Sequence, residues 1–327
     1  MPKIEPAVQT LTFDLDAEAE TTTQYIDLSQ VASLVNRRFY RQGLNWAVAG
    51  FSWHTSDVGG LMISKIPDTW VAANAWTKGL AIWNKMNRNA LQESETVRPK
   101  FYDFKVYMDS DHHRKPLDSN LIPVGIDRNE YTKGEWEYSS IFVPVAFGAE
   151  QPDGTDLMQE FKMYWTGASY GGAASGFDAV SLIEGYAASR LLPNVLDPNT
   201  PGDADDTSNT TPENWMSAIF NEGTTQMQDV IDDLTSENNI APYPFENDGT
   251  NSDTMYPGGA NQAPGPQIHD LSFATATTVG GTTRLKGGNF MGGLIRLDYQ
   301  NASPSTLQVH LVPGNHRGYL AQSMKEL

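Results

Sequence analysis

A chain of 327 residues with 39% hydrophobic residues can bury the core of one large domain or two ordinary ones. Its 40 carboxylates against 22 lysines and arginines give a formal net charge of -18, which excludes nucleic-acid binding by the surface as a whole and leaves room only for a local basic patch. Cysteine is absent, so disulfides and thiolate metal sites are excluded. No apolar run is long enough to span a bilayer and Met1 to Leu15 has no leader pattern, so neither a membrane helix nor a signal peptide is expected.

Residues 1–23 alternate Asp14, Asp16, Glu18 and Glu20 with Leu15, Ala17 and Ala19. This reads as a solvated arm or edge strand; a cation site shared between subunits is the sharper alternative. Tyr25–Leu28 is a short strand candidate. Asp27 or Ser29 is placed to cap a helix from Gln30 to Asn36, with Val31, Leu34 and Val35 inward. Arg37, Arg38 and Arg41 then surround Phe39 and Tyr40, a basic-aromatic cluster suited to a nucleic-acid backbone. Ion pairing to nearby carboxylates is the plainer reading of the same three arginines. Leu44–Trp53 and Leu61–Ile66 read as strands on either side of a turn at residues 56–60.

Pro67-Asp68-Thr69 opens the clearest helix. Ala73, Trp76, Leu80, Trp83 and Ala90 recur at helical spacing, and Lys85 and Arg88 suit its C-terminal end. Tyr102 to Met108 alternates as a half-buried strand and runs into Asp109-Ser110-Asp111-His112-His113-Arg114-Lys115. Those are metal-ligand types, but the order matches no metal-site spacing and two cations follow, so a polar loop is expected. Trp136–Val145, Met158–Thr166 and Ala179–Glu184 read as further strands. Ser169–Gly176 reads as a flexible Gly-rich turn without a phosphate-loop pattern.

Between Leu191 and Thr283 there is no lysine or arginine, and fourteen carboxylates. Residues 191–266 read as an acidic insertion: a loop over 197–209, a helix opening at Thr211-Pro212, a second near 225–234, then an irregular stretch. Trp215, Tyr243, Phe245 and Tyr256 would hold it down. Asp203, Asp205 and Asp206 are candidate ligands for calcium, motivated by charge alone. Ile268–Thr278 resumes the body, Gly280-Gly281 is a turn, and Leu294–Tyr299 and Thr306–Val312 alternate most cleanly. The short gap between those two suggests a hairpin.

The expected fold is all-β, a single jelly-roll β-sandwich with helices in its connections and one long acidic insertion. The expected division is an arm (1–23), a body (24–190 and 267–313), the insertion (191–266) and an irregular tail (314–327). No nucleophile elbow, zinc-protease helix, phosphate loop or dinucleotide fingerprint is present, and the six histidines fall in no recognisable triad spacing. The chain is therefore read as a non-enzyme.

Several segments, spread in one order over nearly the whole chain, resemble capsid proteins of small circular single-stranded DNA viruses of the environmental, Rep-encoding type. They are IDLSQVASLVNRRFYRQG (26–43), KIPDTWVAANAW (65–76), KFYDFKVYMD (100–109), GEWEYS (134–139), APYPFENDG (241–249), DTMYPGGANQ (253–262), GGNFMGGLIRLDY (287–299) and LVPGNHRGYL (311–320). The resemblance implies a virion protein with a single jelly roll, self-assembling in 60 or more copies into an icosahedral shell around a circular ssDNA genome. Its host receptor is not specified by the sequence. Many such proteins carry an Arg-rich N-terminal arm, whereas residues 1–30 here hold one lysine and six carboxylates. DNA contacts then fall to Arg37, Arg38, Arg41, Lys105, Arg114 and Lys115, and subunit contacts to Trp70, Tyr256 and Tyr319. The alternative from another class is a secreted β-sandwich that binds or cleaves carbohydrate.

Overall fold

The computed structural model describes residues 6–91, 103–115, 120–144, 158–167, 179–191 and 265–326. In chain order the elements are β1 (Thr10–Leu15), β2 (Glu18–Asp27), α1 (Leu28–Asn36), β3 (Leu44–Thr55), β4 (Gly59–Lys65) and α2 (Trp70–Leu91). Then come α3 (Ser110–Arg114), β5 (Ser140–Pro144), β6 (Met158–Tyr164), β7 (Ala179–Ser181) and α4 (Leu182–Leu191). The chain closes with β8 (Gln267–Ala274), β9 (Thr282–Met291), β10 (Leu294–Asn301), β11 (Ser305–Leu311), β12 (Pro313–Gly314), β13 (Gly318–Tyr319) and β14 (Ala321–Ser323). Two compact units result: the first is Met1–Asp68, Lys115–Glu137 and Pro266–Leu327, the second Thr69–Arg114 and Tyr138–Gly265. This division differs from the sequence reading, which kept residues 69–190 in the same body as the strands around them.

The first unit is a sandwich of two antiparallel sheets. In one, β1 pairs β11, β11 pairs β3, and β9 and β14 also pair β3. In the other the order is β2-β10-β4-β8. Counting only the eight long strands, each pairs with its counterpart counted back from the end: β1 with β11, β2 with β10, β3 with β9, β4 with β8. The reason these segments are strands is their period of two. β11 alternates buried and half-buried residues along its whole length, sending Leu307, Val309 and Leu311 inward. Phe13, Phe51, Trp53, Leu307 and Val309 of one sheet share a single apolar cluster with Ile26, Leu61, Ile63, Leu297 and Tyr299 of the other. Each such side chain, taken fully out of water, contributes about 1.5–3 kcal/mol.

Two local devices fix this arrangement. Asp27 caps α1, its Oδ1 accepting from the amides of Ser29 (2.9 Å) and Gln30 (3.3 Å), while Gln42 Nε2 donates to its other oxygen. Gly287 in β9 lies so close to the carbonyls of Val48 and Ala49 in β3 that a Cβ would collide with them.

Several expectations are corrected. β10 and β11 form no hairpin; they belong to different sheets, and the short link between them crosses from one to the other. Period-two alternation fixes faces but not partners. Thr282–Met291 is a full strand that the sequence reading passed over, because Gly287 and Gly288 interrupt its apolar pattern. Residues 10–27 carry two strands, and β2 starts at Glu18, well before Tyr25. The tail holds three short strands.

The second unit contains a three-stranded sheet, β5-β6-β7, antiparallel between the first pair and parallel between the second. The expected strand Ala179–Glu184 stops at Ser181 and turns into α4. Asp103–Met108 is not a regular strand; among the described residues its one ladder bridge joins Tyr107 to Tyr164. Both Val106 and Tyr107 are buried, so the alternation read from sequence is broken there. The aromatic stripe of α2 is core: Trp76 packs on Phe104 (5.7 Å) and Trp165 (6.4 Å), and Trp165 Nε1 donates to the Ala72 carbonyl. The Gly-rich turn at 169–176 and the helices and loops expected within 192–264 lie outside the described residues.

Candidate nucleic-acid interface

The basic-aromatic cluster sits in the first unit, where α1 ends. Arg37 closes the helix in the left-handed conformation (φ 51°). Ser33 Oγ accepts from the Tyr40 amide, and Ser29 Oγ donates to the Arg41 carbonyl, so the turn from Arg37 to Arg41 is tied back to the helix. Tyr40 turns inward and packs on Trp46 (5.8 Å) and Tyr319 (5.5 Å), which pack on each other at 5.4 Å. Arg37 and Arg41 remain exposed, and Arg38 and Phe39 are half-buried.

A second segment joins the cluster. Arg317, exposed and also left-handed (φ 51°), donates from Nη1 to the Phe39 carbonyl at 2.6 Å. Tyr40 donates its hydroxyl to the Arg317 carbonyl at 2.9 Å. The two segments are thus clasped in both directions. His316 lies 6.5 Å from Tyr40, ring to ring. Burial, then the charge of Arg317, hold its imidazole below the ordinary histidine value, so it is neutral at pH 7. Sequence reasoning found Arg37, Arg38 and Arg41 and missed Arg317 and His316. The only available signal was a second basic pair in a stretch read as an irregular tail.

The other candidate cations are held by partners of their own or belong to other segments. Lys105 is nearly buried and pairs with Asp103 at 3.0 Å. Arg114 faces Asp111 at 3.9 Å in an exposed pair worth little. Both belong to the second unit; half-buried Lys115 belongs to the first. Tyr319 is corrected as a subunit contact: it is 1% exposed, its hydroxyl accepting from Asn36 Nδ2 and donating to the Val8 carbonyl. Burial pushes that hydroxyl up to about 12. Tyr256, Asp203, Asp205, Asp206 and the Trp70 side chain lie outside the described residues.

The Asp109–Lys115 run is corrected from a polar loop to a short helix with two buried histidines. Asp109 Oδ1 accepts from the His112 amide, and the Met108 amide donates to His112 Nδ1, which leaves the proton of the neutral ring on Nε2. Tyr107 is stacked on Tyr138 at 3.9 Å and meets His112 and His113 edge-on, each at 5.1 Å. Among the described residues no three carboxylates or histidines converge as a metal site. Burial, then the charges of Lys162 and Arg114, lower the His113 pKa to about 4. The unfolded chain therefore takes up a proton near pH 6.5 that the folded chain refuses until about 4, so stability falls as pH drops through that window. His113→Gln is expected to flatten the pH dependence of the thermal midpoint between those values. An unchanged slope would mean that His113 is open to solvent.

A second surface of the first unit is apolar. On β8, Ile268 (60% exposed), Leu271 (48%) and Phe273 (64%) stand on the outer face of their sheet. Met62 and Gly60 of β4 are register partners of Leu271 and Phe273, and the Phe273 ring lies over Gly60. At the end of this strip Phe273, Val58, Gly60, Ala17 and Gln300 line an open pocket of about 730 Å³. Outer faces of sandwiches are ordinarily polar, and grouped apolar side chains there mark contact surfaces.

Compared with known proteins, the chain matches no family model, no curated protein and no solved structure.

Proposed function

We propose that this chain is the major capsid subunit of a small virus with a circular single-stranded DNA genome, built on a single jelly roll and assembling into an icosahedral shell. The mirrored pairing of the eight long strands carries the reading. A ribbon folded at its middle pairs first strand with last and second with second-last. Wrapping such a ribbon into a sandwich makes successive strands alternate between sheets on either side of the fold, where β4 and β8 pair in one sheet, and the two strand orders support the jelly-roll reading. The resemblance in the segments quoted above supports the same conclusion, and the exposed strip on β8 supplies a surface for subunits to meet. The role is structural; no residue is assigned to catalysis, and the partners are further copies of the chain and the packaged DNA.

The deciding measurement is light scattering on purified protein after size exclusion, with absorbance at 260 and 280 nm. A megadalton species, seen as shells of uniform diameter by electron microscopy, is the expected result. A single species near 36 kDa at every pH, salt and calcium concentration tried would overturn the reading and favour the carbohydrate-binding alternative.

A further inference from the structure

The first unit carries both a projecting apolar side chain and an apolar hollow. The projection is Ile126, which at 106% is the most exposed large apolar side chain among the described residues. It stands at the tip of a tight hairpin. Val124 and Glu130 face each other across that hairpin, the Gly125 amide donates to the Asn129 carbonyl at 2.8 Å, and the Arg128 amide donates back to the Gly125 carbonyl at 3.1 Å. The hairpin is fastened to the sandwich: the Val124 amide donates to the Thr12 carbonyl of β1 at 2.8 Å, and Arg128 Nη2 pairs with Asp14 at 2.7 Å. Arg128 has positive φ (60°), where glycine is the relaxed choice, and its anchoring side chain gives the position a reason to be arginine. The charges beside the tip are met inside the copy, Arg128 by Asp14 and Asp127 Oδ2 by Asn129 Nδ2 at 2.8 Å. What the tip offers outward is an aliphatic side chain on a fixed base.

The hollow is the open pocket of about 730 Å³ at the end of the β8 strip. Ala17, Ala19, Val58, Gly60, Phe273 and Ala302 form its apolar walls. A Cβ on Gly60 would press on the Phe273 ring at 3.1 Å, so the chain does not fill the space from that side. No lysine or arginine is among the described residues that line it, and one carboxylate, Glu18, is. An anionic ligand finds no counter-charge there, whereas an apolar side chain finds matching walls. One exposed aliphatic side chain is ordinary on a protein surface. Held at a rigid tip, with a hollow of the same chemistry on the same folded unit, it is one half of a contact.

We propose that Ile126 of one copy of the chain inserts into the hollow between Val58 and Phe273 of a second copy. The proposal rests on the capsid reading for its partner and names the surfaces that meet. Knob and hollow share no residue, so one copy can give and receive at once, and such head-to-tail contacts close into rings. A shell needs rings of this kind around its fivefold axes. Because the chain carries a net charge of -18, copies repel one another, and an apolar tip whose neighbouring charges are already met adds no unmatched charge at the point of contact. The fixed hairpin leaves little ordering to be done on binding.

The chain has no cysteine, so disulfide trapping reads the contact directly. Ile126→Cys protein is mixed with Val58→Cys protein under mild oxidation. The control pair is Ile126→Cys with Asn315→Cys, an exposed position in the tail. The expected product is a dimer of twice 36.0 kDa on a non-reducing gel, at least about tenfold more abundant from the first pair than from the control. Equal yields from the two pairs would overturn the contact. In parallel, Ile126→Ser is expected to keep the wild-type thermal midpoint and to raise the protein concentration needed for assembly at least about tenfold, and Ile126→Leu to restore it. Shells that form equally well from Ile126→Ser protein would overturn the contact and leave the capsid reading standing. Selective trapping by the Val58→Cys partner in a protein that never assembles beyond small oligomers would do the reverse.

Discussion

Replacing Trp53 by alanine is expected to lower the folding free energy by about 3–5 kcal/mol. Trp53 is fully buried, belongs to the cluster shared by the two sheets of the sandwich, and donates its indole N–H to Ser305 Oγ at 3.0 Å. Truncation removes the largest kind of side chain from a close-packed interior, and a β-strand paired on both sides, with β9 and with β11, has little freedom to collapse into the space. Ser305 Oγ still accepts from Asn301 Nδ2 at 2.7 Å, so the loss is mainly packing and not an orphaned hydroxyl. Trp53→Phe refills most of the volume and is expected to cost about 1–2 kcal/mol, close to the value of the hydrogen bond plus the missing ring atoms. Chemical denaturation checks both. A loss below about 1 kcal/mol for Trp53→Ala would mean that the two sheets do not share this core.

On the proposed capsid reading, Leu271→Asp combined with Phe273→Asp is expected to abolish particle formation while leaving the chain folded. Both side chains already stand in solvent, so surface substitutions of this kind change stability by only about 0.5 kcal/mol. At a contact between copies the same change buries carboxylates that repel across the interface, a cost of several kcal/mol per contact that every contact in the shell repeats. The expected readout is a thermal midpoint near wild type with the megadalton peak reduced at least about tenfold. Retention of full assembly would remove β8 as a contact surface. Loss of the folded subunit would instead mean that the strip is part of the core.

The strands most legible in the sequence were β10 and β11, which alternate without a glycine, and β3 and β4, whose Gly50, Gly59 and Gly60 leave long apolar runs intact; all four were located to within a few residues. The cap of α1 was legible too, because Asp27 precedes an apolar run at helical spacing. Partnering was not legible. Nothing in the alternation of Leu297 and Leu307 says that one faces the core from one sheet and the other from the opposite sheet. β9 was lost because Gly287 serves the backbone approach of β3 and not a side-chain pattern. The basic cluster was half legible for the same reason. Arg37, Arg38 and Arg41 are neighbours in sequence, whereas Arg317 reaches them through hydrogen bonds that involve main-chain carbonyls. Tyr319 looked like a surface aromatic in a glycine-rich tail, yet it closes a ring cluster whose other members come from residues 40 and 46.

The mirrored strand pairing also sets a schedule for the chain as it is made. β1 finds its partner only at β11, so Thr10 waits for His310, 300 residues later. At synthesis rates of 5–20 residues per second, that wait is roughly 15–60 s. Over that interval β1, β2, β3 and β4 have emerged without the strands that pair them. The four carboxylates Asp14, Asp16, Glu18 and Glu20 fall on the first two of these strands and the link between them. Like charges there keep unpaired edges of neighbouring nascent chains from annealing to each other. The acidity of the amino-terminal segment then acts as a guard against misassociation until β11 has been made and pairs with β1.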